Sequence, residues 1–182
     1  MHWALFTILG MQKLLKMRKL LLLSLLASCS YKTIPLKGSY LEKPYSIETS
    51  TSSDKVWDKL IDLFAQKGLS IKIIDRASGL IISERAAFGY TTEDKNGKLK
   101  DPTAFIVVPQ MYNPGNRMTI PVCENLVAEW NVRIKTQGDK TLINVNVVNV
   151  VRNVSGVYLA NNSCPQAKST GVFERIIADA IK

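Results

Sequence analysis

Apolar and polar residues alternate over two neighbouring stretches in the C-terminal half of the chain, and the turn-forming Gln137-Gly138-Asp139 separates them. The outward positions carry Glu129, Asn131, Arg133 and Lys135 in the first stretch and Asn144 and Asn146 in the second. The inward positions are Leu126, Ala128, Trp130, Val132 and Ile134, then Thr141, Ile143, Val145 and Val147. A period of two predicts β-strands. We therefore expect an antiparallel hairpin with one buried face.

Two other stretches have the spacing of amphipathic helices. The first follows Ser52-Ser53-Asp54, which offers an N-cap and an early acid, and it ends at Gly68, a residue suited to a left-handed C-terminal cap. The second follows Ser169-Thr170, which we expect to cap it. Their apolar stripes are Val56, Trp57, Leu60, Ile61 and Phe64, and Phe173, Ile176, Ile177, Ala180 and Ile181. We expect both helices to bury these stripes against the sheet.

Shorter strands are predicted at four further places. They are Tyr45–Glu48, the alternating Leu69, Ile71 and Ile73, then Leu80–Ser83 after the turn Asp75–Gly79, and Ala104–Val108. The order β-α-β-β-(β)-β-β-α predicts an α+β domain over residues 45–182, an antiparallel sheet with two helices packed on one face.

Residues 86–125 have the weakest pattern, and we expect an irregular insert that is either functional or disordered. Its large apolar side chains form a candidate partner surface: Phe88, Tyr90, Phe105, Met111, Tyr112 and Met118. In the alternative interpretation, Phe105 belongs to the core and the tyrosines cover loop backbone.

The N-terminal segment has the parts of an export signal. Arg18-Lys19 precede an apolar run from Leu20 to Leu25, and Leu26-Ala27-Ser28-Cys29 follows. This arrangement resembles a bacterial lipobox, in which cleavage leaves a lipidated cysteine as the first mature residue. The apolar run is too short for a membrane span, which needs about 20 residues. We expect residues 1–28 to be a signal peptide, with Met11 or Met17 as the start; an ordinary signal peptide with a chance cysteine is the alternative.

The lipobox resemblance implies a location and an anchor. Proteins of this kind carry fatty acyl chains such as palmitate on the cysteine, so Cys29 would hold the chain on a lipid bilayer. Serine at position 30 implies the outer membrane, and without an acidic cluster after Cys29 we expect the domain to face the periplasm. Residues 29–44 contain two prolines and a glycine and are predicted to be a tether that holds the domain off the membrane.

Charge and composition argue against nucleic-acid binding and against catalysis. The chain carries a net charge of +9, and loss of residues 1–28 leaves 20 basic and 15 acidic residues, which form no basic stripe. The only histidine, His2, lies in the leader, so the mature chain has no histidine relay and no imidazole metal ligand. We expect Glu93-Asp94, Glu124 and Glu129 to be solvated charges. We therefore predict no enzymatic activity, no metal and no cofactor beyond the covalent lipid.

Two cysteines remain in the mature chain after Cys29. If residues pair across the hairpin when their numbers sum to about 277, position 123 returns near position 154, ten residues before Cys164. Cys123 and Cys164 should therefore emerge at the same end of the hairpin. We expect a disulfide in an oxidising compartment, and a reactive thiol pair is the alternative.

The stretch Asp54-Lys55-Val56-Trp57-Asp58-Lys59-Leu60, continued by Gly68, Ile71, Asp75-Arg76, Gly79 and Ile81, resembles the repeated domain of the BamC lipoproteins. These are accessory subunits of the outer-membrane β-barrel assembly machinery, and their domains have a helix-grip fold. The resemblance covers about 40 of the 182 residues. It implies a helix-grip-like domain and a non-enzymatic interaction module, an accessory subunit of a cell-envelope complex. The alternative is a periplasmic carrier or sensor that holds a small apolar ligand between sheet and helices.

Overall fold

The computed structural model describes residues 31–40, 44–153 and 163–182. The leader and Cys29 lie outside the described residues. Within them the chain has the predicted α+β architecture, with two helices and sheets whose strands pair antiparallel except for one parallel pair. The described part of the chain has twelve strands and two helices, and ten of the strands lie between the first helix and the second.

The main sheet is antiparallel and is built around the predicted hairpin. Its two long strands are β10 (Leu126–Gln137) and β11 (Lys140–Arg152). The other strands are β2 (Tyr45–Thr49), β3 (Ile71–Asp75), β4 (Leu80–Ser83) and β5 (Ala86–Ala87). The spatial order is β2-β11-β10-β4-β3, and β5 pairs with β10 beyond the end of β4.

The hairpin register agrees with the prediction up to a bulge. Paired residue numbers sum to 277 from Gln137↔Lys140 to Glu129↔Val148, and the register then shifts so that Leu126 pairs with Arg152. Asn149 supplies the extra residue in β11, with a left-handed φ of 53°. Such a bulge bends the strand and increases its local twist.

The two helices pack against each other and against the sheet. The first, α1, spans Ser53–Gln66, and its last turn closes on Gly68, whose φ is 65° as predicted. The second, α2, spans Val172–Ile181. Its N-cap is Gly171 rather than Ser169 or Thr170. The Ser169 hydroxyl instead accepts the Gly171 N–H at 3.0 Å.

Aromatic rings fill the interior between the helices and the sheet. Trp130 on β10 lies 4.3 Å from Phe173 of α2 and 5.3 Å from Phe88, measured between ring centroids. Phe105 contacts three of these rings, and Phe64 of α1 meets Phe173 edge to face at 6.2 Å. Trp130, Phe64 and Phe173 are fully buried. This cluster is the centre of the core.

The edge strand β3 departs from the predicted alternation. A bulge between Ile71 and Ile73 shifts its pairing with β4. Ile71 packs against the core, but Ile73 and Ile74 remain 43% and 55% exposed. The strand itself is present as predicted, and the bulge explains why Ile73 does not continue the inward series.

The insert is made of short strands rather than irregular chain. It contains β6 (Tyr90–Thr91), β7 (Ile106–Val107), β8 (Gln110–Asn113) and β9 (Met118–Pro121). Strand β7 covers only the middle of the predicted Ala104–Val108 strand, and it lies between β6 and β12 (Lys168–Ser169) in a three-stranded sheet. The predicted disulfide between Cys123 and Cys164 is present, and both cysteines are buried. It joins the end of the insert to the segment before α2.

Candidate interaction site

The segment predicted as a tether contributes a strand to the domain. Strand β1 (Lys32–Ile34) pairs antiparallel with β8, and the hairpin β8–β9 completes a second three-stranded sheet, which we call the small sheet. Residues 31–40 therefore lie against the domain instead of separating it from residue 29. Three residues, Lys32-Thr33-Ile34, give too short a pattern to be recognised as a strand without its partner.

A buried carboxylate holds the end of this segment. Glu93 is 5% exposed, and its Oε2 accepts the backbone N–H of Lys37 at 2.7 Å. Its Oε1 accepts the backbone N–H of Gly38 at 2.8 Å and the hydroxyl of Tyr40 at 2.5 Å. The expectation that Glu93 is a solvated loop charge is thus wrong, because three donors from a distant segment replace water around it. We call this arrangement the Glu93 clasp.

The clasp favours the ionised form of the acid. Burial on its own raises the pKa of Glu93, but the hydrogen bonds from Tyr40, Lys37 and Gly38 outweigh it and hold the pKa below its usual value. Burial and the neighbouring carboxylate raise the pKa of Tyr40, so its hydroxyl stays a donor. The clasp is therefore closed at neutral pH.

A cleft of about 440 Å³ lies beside the clasp. Ile34, Leu36 and Val108 are among its apolar lining residues, and Lys37, Lys95 and Lys100 are among its polar ones. The Lys37 ammonium donates to the Lys95 carbonyl at 2.6 Å. The cleft is thus part of the seam between the N-terminal segment and the insert.

The small sheet exposes apolar side chains beside the start of the described chain. Met118 is 57% exposed and pairs across the hairpin with Asn113. Tyr31 is 56% exposed, and its hydroxyl accepts a hydrogen bond from the Asn113 amide at 3.4 Å. Because side chains alternate between the faces of a sheet, Met111 lies on the same face as Asn113 and Met118, and Tyr112 lies on the other.

The candidate partner surface predicted from the sequence is therefore divided. Phe88 is buried, Phe105 packs against Trp130 and Phe173, and Tyr90 packs against the core. For these three residues the prediction of an exposed surface is wrong, because their side chains pack against the core instead of projecting from the domain. Met111, Tyr112 and Met118 lie on the small sheet, where Tyr112 and Met118 are exposed. The sequence reasoning missed Tyr31, whose position beside β8 depends on strand pairing.

Two further acids are buried in other parts of the domain. Glu129 is 4% exposed; Arg85 Nε donates to it at 2.9 Å and Asn149 Nδ2 at 2.8 Å. Despite burial, these donors and the Lys72 ammonium, at 3.7 Å, keep the pKa of Glu129 lowered. The expectation of a solvated Glu129 is wrong, because the Asn149 bulge brings a side-chain donor over the strand. Glu124 is exposed, as expected.

The pKa of Glu174 is shifted in the opposite direction from those of Glu93 and Glu129. Glu174 is 2% exposed in the first turn of α2; the Ser169 hydroxyl donates to its Oε1 at 2.6 Å, and its Oε2 has no hydrogen-bond partner among the described residues. Burial raises the pKa of Glu174 above the usual value. Its buried environment therefore favours the protonated form.

Residues 31–40, 44–153 and 163–182 contain neither a metal-binding cluster nor a membrane-spanning helix. No group of three or more His, Cys, Asp or Glu side chains there could hold a metal ion. In the same ranges, no helix has the length and apolar character needed to cross a membrane. Cys29, the predicted lipidation site, lies outside these ranges.

Comparison with known proteins adds no relative. No protein-family model matches the sequence, and no curated protein matches it significantly.

Proposed function

We propose that this chain is an exported lipoprotein, anchored through acyl chains on Cys29, that acts as a non-enzymatic interaction module of a cell-envelope complex. One observation carries the proposal: the interior is filled with aromatic rings, and within the part of the chain that the structure describes, large apolar side chains are exposed in two separate places on the surface. The first place is the small sheet, with Tyr31 and Met118; the second is the edge strand β3, with Ile73 and Ile74.

The filled interior disfavours the alternative of a carrier. A carrier of this architecture would hold its ligand between the helices and the sheet. Val56, Leu60 and Phe64 of α1 are fully buried at this interface, and Trp130 and Phe173 meet beneath them. A ligand could enter only by displacing these rings, at the cost of the close packing that stabilises the core.

The disulfide supports an extracytoplasmic location. Cys123 and Cys164 are buried and joined within a domain that has a large core. Disulfides persist in oxidising compartments such as the bacterial periplasm and are rare in the cytosol. The outer membrane, with the domain facing the periplasm, is our proposal for the site of action.

Site-specific photo-crosslinking in intact cells tests the proposed function. A photoreactive residue would replace Ile73 or Met118, and the control would replace Asp139 in the exposed β10–β11 turn. We expect a discrete protein adduct at one of the first two positions and none at Asp139. A small apolar molecule that co-purifies stoichiometrically, without any protein adduct, would instead support the carrier.

A further inference from the structure

The first described strand begins very near the predicted anchor. Cys29 precedes Tyr31 by two residues. An extended chain advances at most about 3.6 Å per residue, so the Cα atoms of these two residues are no more than about 7 Å apart. The headgroup layer on each side of a bilayer has a similar thickness. If the chain is anchored at Cys29, the segment between the lipid and β1 is therefore too short to act as a flexible spacer.

The register of the small sheet determines which part of the domain lies at that end. Lys32 pairs with Tyr112 in an antiparallel arrangement, so Tyr31 is level with Asn113. Tyr31, the first described residue of this segment, consequently lies beside the β8–β9 turn, residues 114–117. Met118, which pairs with Asn113, begins the returning strand at the same level.

The side chains at the Tyr31–Met118 end of the small sheet are of the kinds that favour a membrane surface. Tyr31 and Met118 are more than half exposed, and Lys32 and Arg117 are exposed beside them. Residues 31–40 and 105–123 contain no acidic side chain. In contrast, α1 exposes Asp54, Asp58 and Asp62. Amphipathic aromatic rings favour the membrane interface, and basic residues are attracted to anionic headgroups.

We propose that the small sheet lies on the bilayer by its Tyr31–Met118 end, with Lys32 and Arg117 among anionic headgroups. The inference rests on lipidation of Cys29 and adds an orientation to it. The domain is held at the membrane surface rather than at the end of a flexible tether. The edge strand β3 is then left for the protein partner.

Fluorescence quenching in vesicles tests this orientation. The full chain, lipidated in the expressing bacterium, is reconstituted into vesicles of phosphatidylethanolamine and phosphatidylglycerol. Met118→Cys carries an environment-sensitive thiol label, and Asp139→Cys is the matched control, since the native cysteines of the domain are joined in the disulfide. We expect a blue-shifted emission at position 118 and severalfold stronger quenching by a lipid-borne quencher than at position 139.

The outcomes separate the orientation from the anchor. Equally weak quenching at both positions, in protein that floats with the vesicles, would overturn the orientation and leave the lipid anchor intact. Protein that does not float, with Cys29 unmodified by mass spectrometry, would overturn the anchor and the orientation together. A charge-reversed protein with Lys32→Glu and Arg117→Glu should be quenched less at position 118; unchanged quenching would contradict the role given to the headgroups.

Discussion

Replacing Glu93 by glutamine should release the N-terminal segment while leaving the rest of the domain folded. Glutamine has the same shape as glutamate but exchanges one carboxylate oxygen for an N–H₂ group. Oε1 accepts Gly38 and Tyr40, and Oε2 accepts Lys37. Whichever way the amide turns, at least one backbone N–H faces another donor.

The size of the effect follows from these contacts. A hydrogen bond to a charged group contributes about 1.5–3 kcal/mol. Lys37 and Gly38 are exposed residues whose N–H groups can bind water once the segment opens, so we expect a net loss of about 2–3 kcal/mol in the free energy of local opening. That corresponds to a roughly 30- to 150-fold larger open population. Tyr40→Phe removes one bond and should cost about 1 kcal/mol.

Hydrogen exchange read by mass spectrometry measures this opening directly. Amides of residues 31–40 and of β8 should exchange faster in Glu93→Gln by the stated factor, while those of β10 and β11 should not change. Asp101→Asn is the matched control, because it removes the same charge from an exposed carboxylate that accepts local hydrogen bonds from the Thr103 N–H and hydroxyl. Unchanged exchange over residues 31–40 in Glu93→Gln would refute the clasp.

The clasp also has a defined pH dependence. Because the folded pKa of Glu93 is lowered, its contribution is fully present above the pKa of an unfolded glutamate, about 4.3. The contribution is lost as the pH falls through the lower, folded value. Opening of residues 31–40 should therefore increase only in strong acid, and Glu93→Gln should abolish this dependence.

Three other predictions concern the stability of the domain. The Cys123→Ala/Cys164→Ala variant should unfold about 4 kcal/mol more easily in denaturant, because the bond closes a loop over a sequence separation of 41; a midpoint that does not move on reduction of the wild type would contradict this. Gly79→Ala should cost more than about 2 kcal/mol, since Gly79 has a φ of 70° and a new Cβ would collide with the Ile134 carbonyl; a normal melting temperature would refute it. Glu174 has a raised pKa, so the wild type should lose stability as the pH rises from the unfolded value through the folded one. Glu174→Gln should remove that loss in denaturation measured between pH 4 and pH 8, and parallel curves for the two proteins would contradict the assignment.

The long elements with a repeating pattern were predictable from the sequence, and so was the disulfide that lies beyond the end of the hairpin. The apolar stripe of α1 and the alternation in β10 and β11 each repeat a local preference over many residues, and Gly138 marks the turn between the two strands. Tertiary contacts therefore did not change these elements. The Cys123–Cys164 pairing was predicted from the hairpin register together with the expectation of an oxidising compartment, and the structure confirms it.

The parts that were not predicted depend on partners that are distant in sequence. Glu93 and Glu129 occupy positions where a polar residue is normally solvated, and they are buried because Tyr40, Arg85 and Asn149 reach them from other elements. Phe88 and Phe105 lie in the connections beside very short strands, so their packing against Trp130 left no periodic signal. Strand β1 forms only because β8 offers it an edge.

The edge strand β3 carries a further consequence for the domain's behaviour at high concentration. Among the described strands it pairs only with β4, so one row of its backbone groups is open to another chain. Its exposed isoleucines would make such an addition favourable, but the bulge between Ile71 and Ile73 interrupts the regular ladder of hydrogen bonds. Bulges of this kind oppose uncontrolled strand addition. The bulge that interrupts the alternating pattern of β3 thus also opposes self-aggregation.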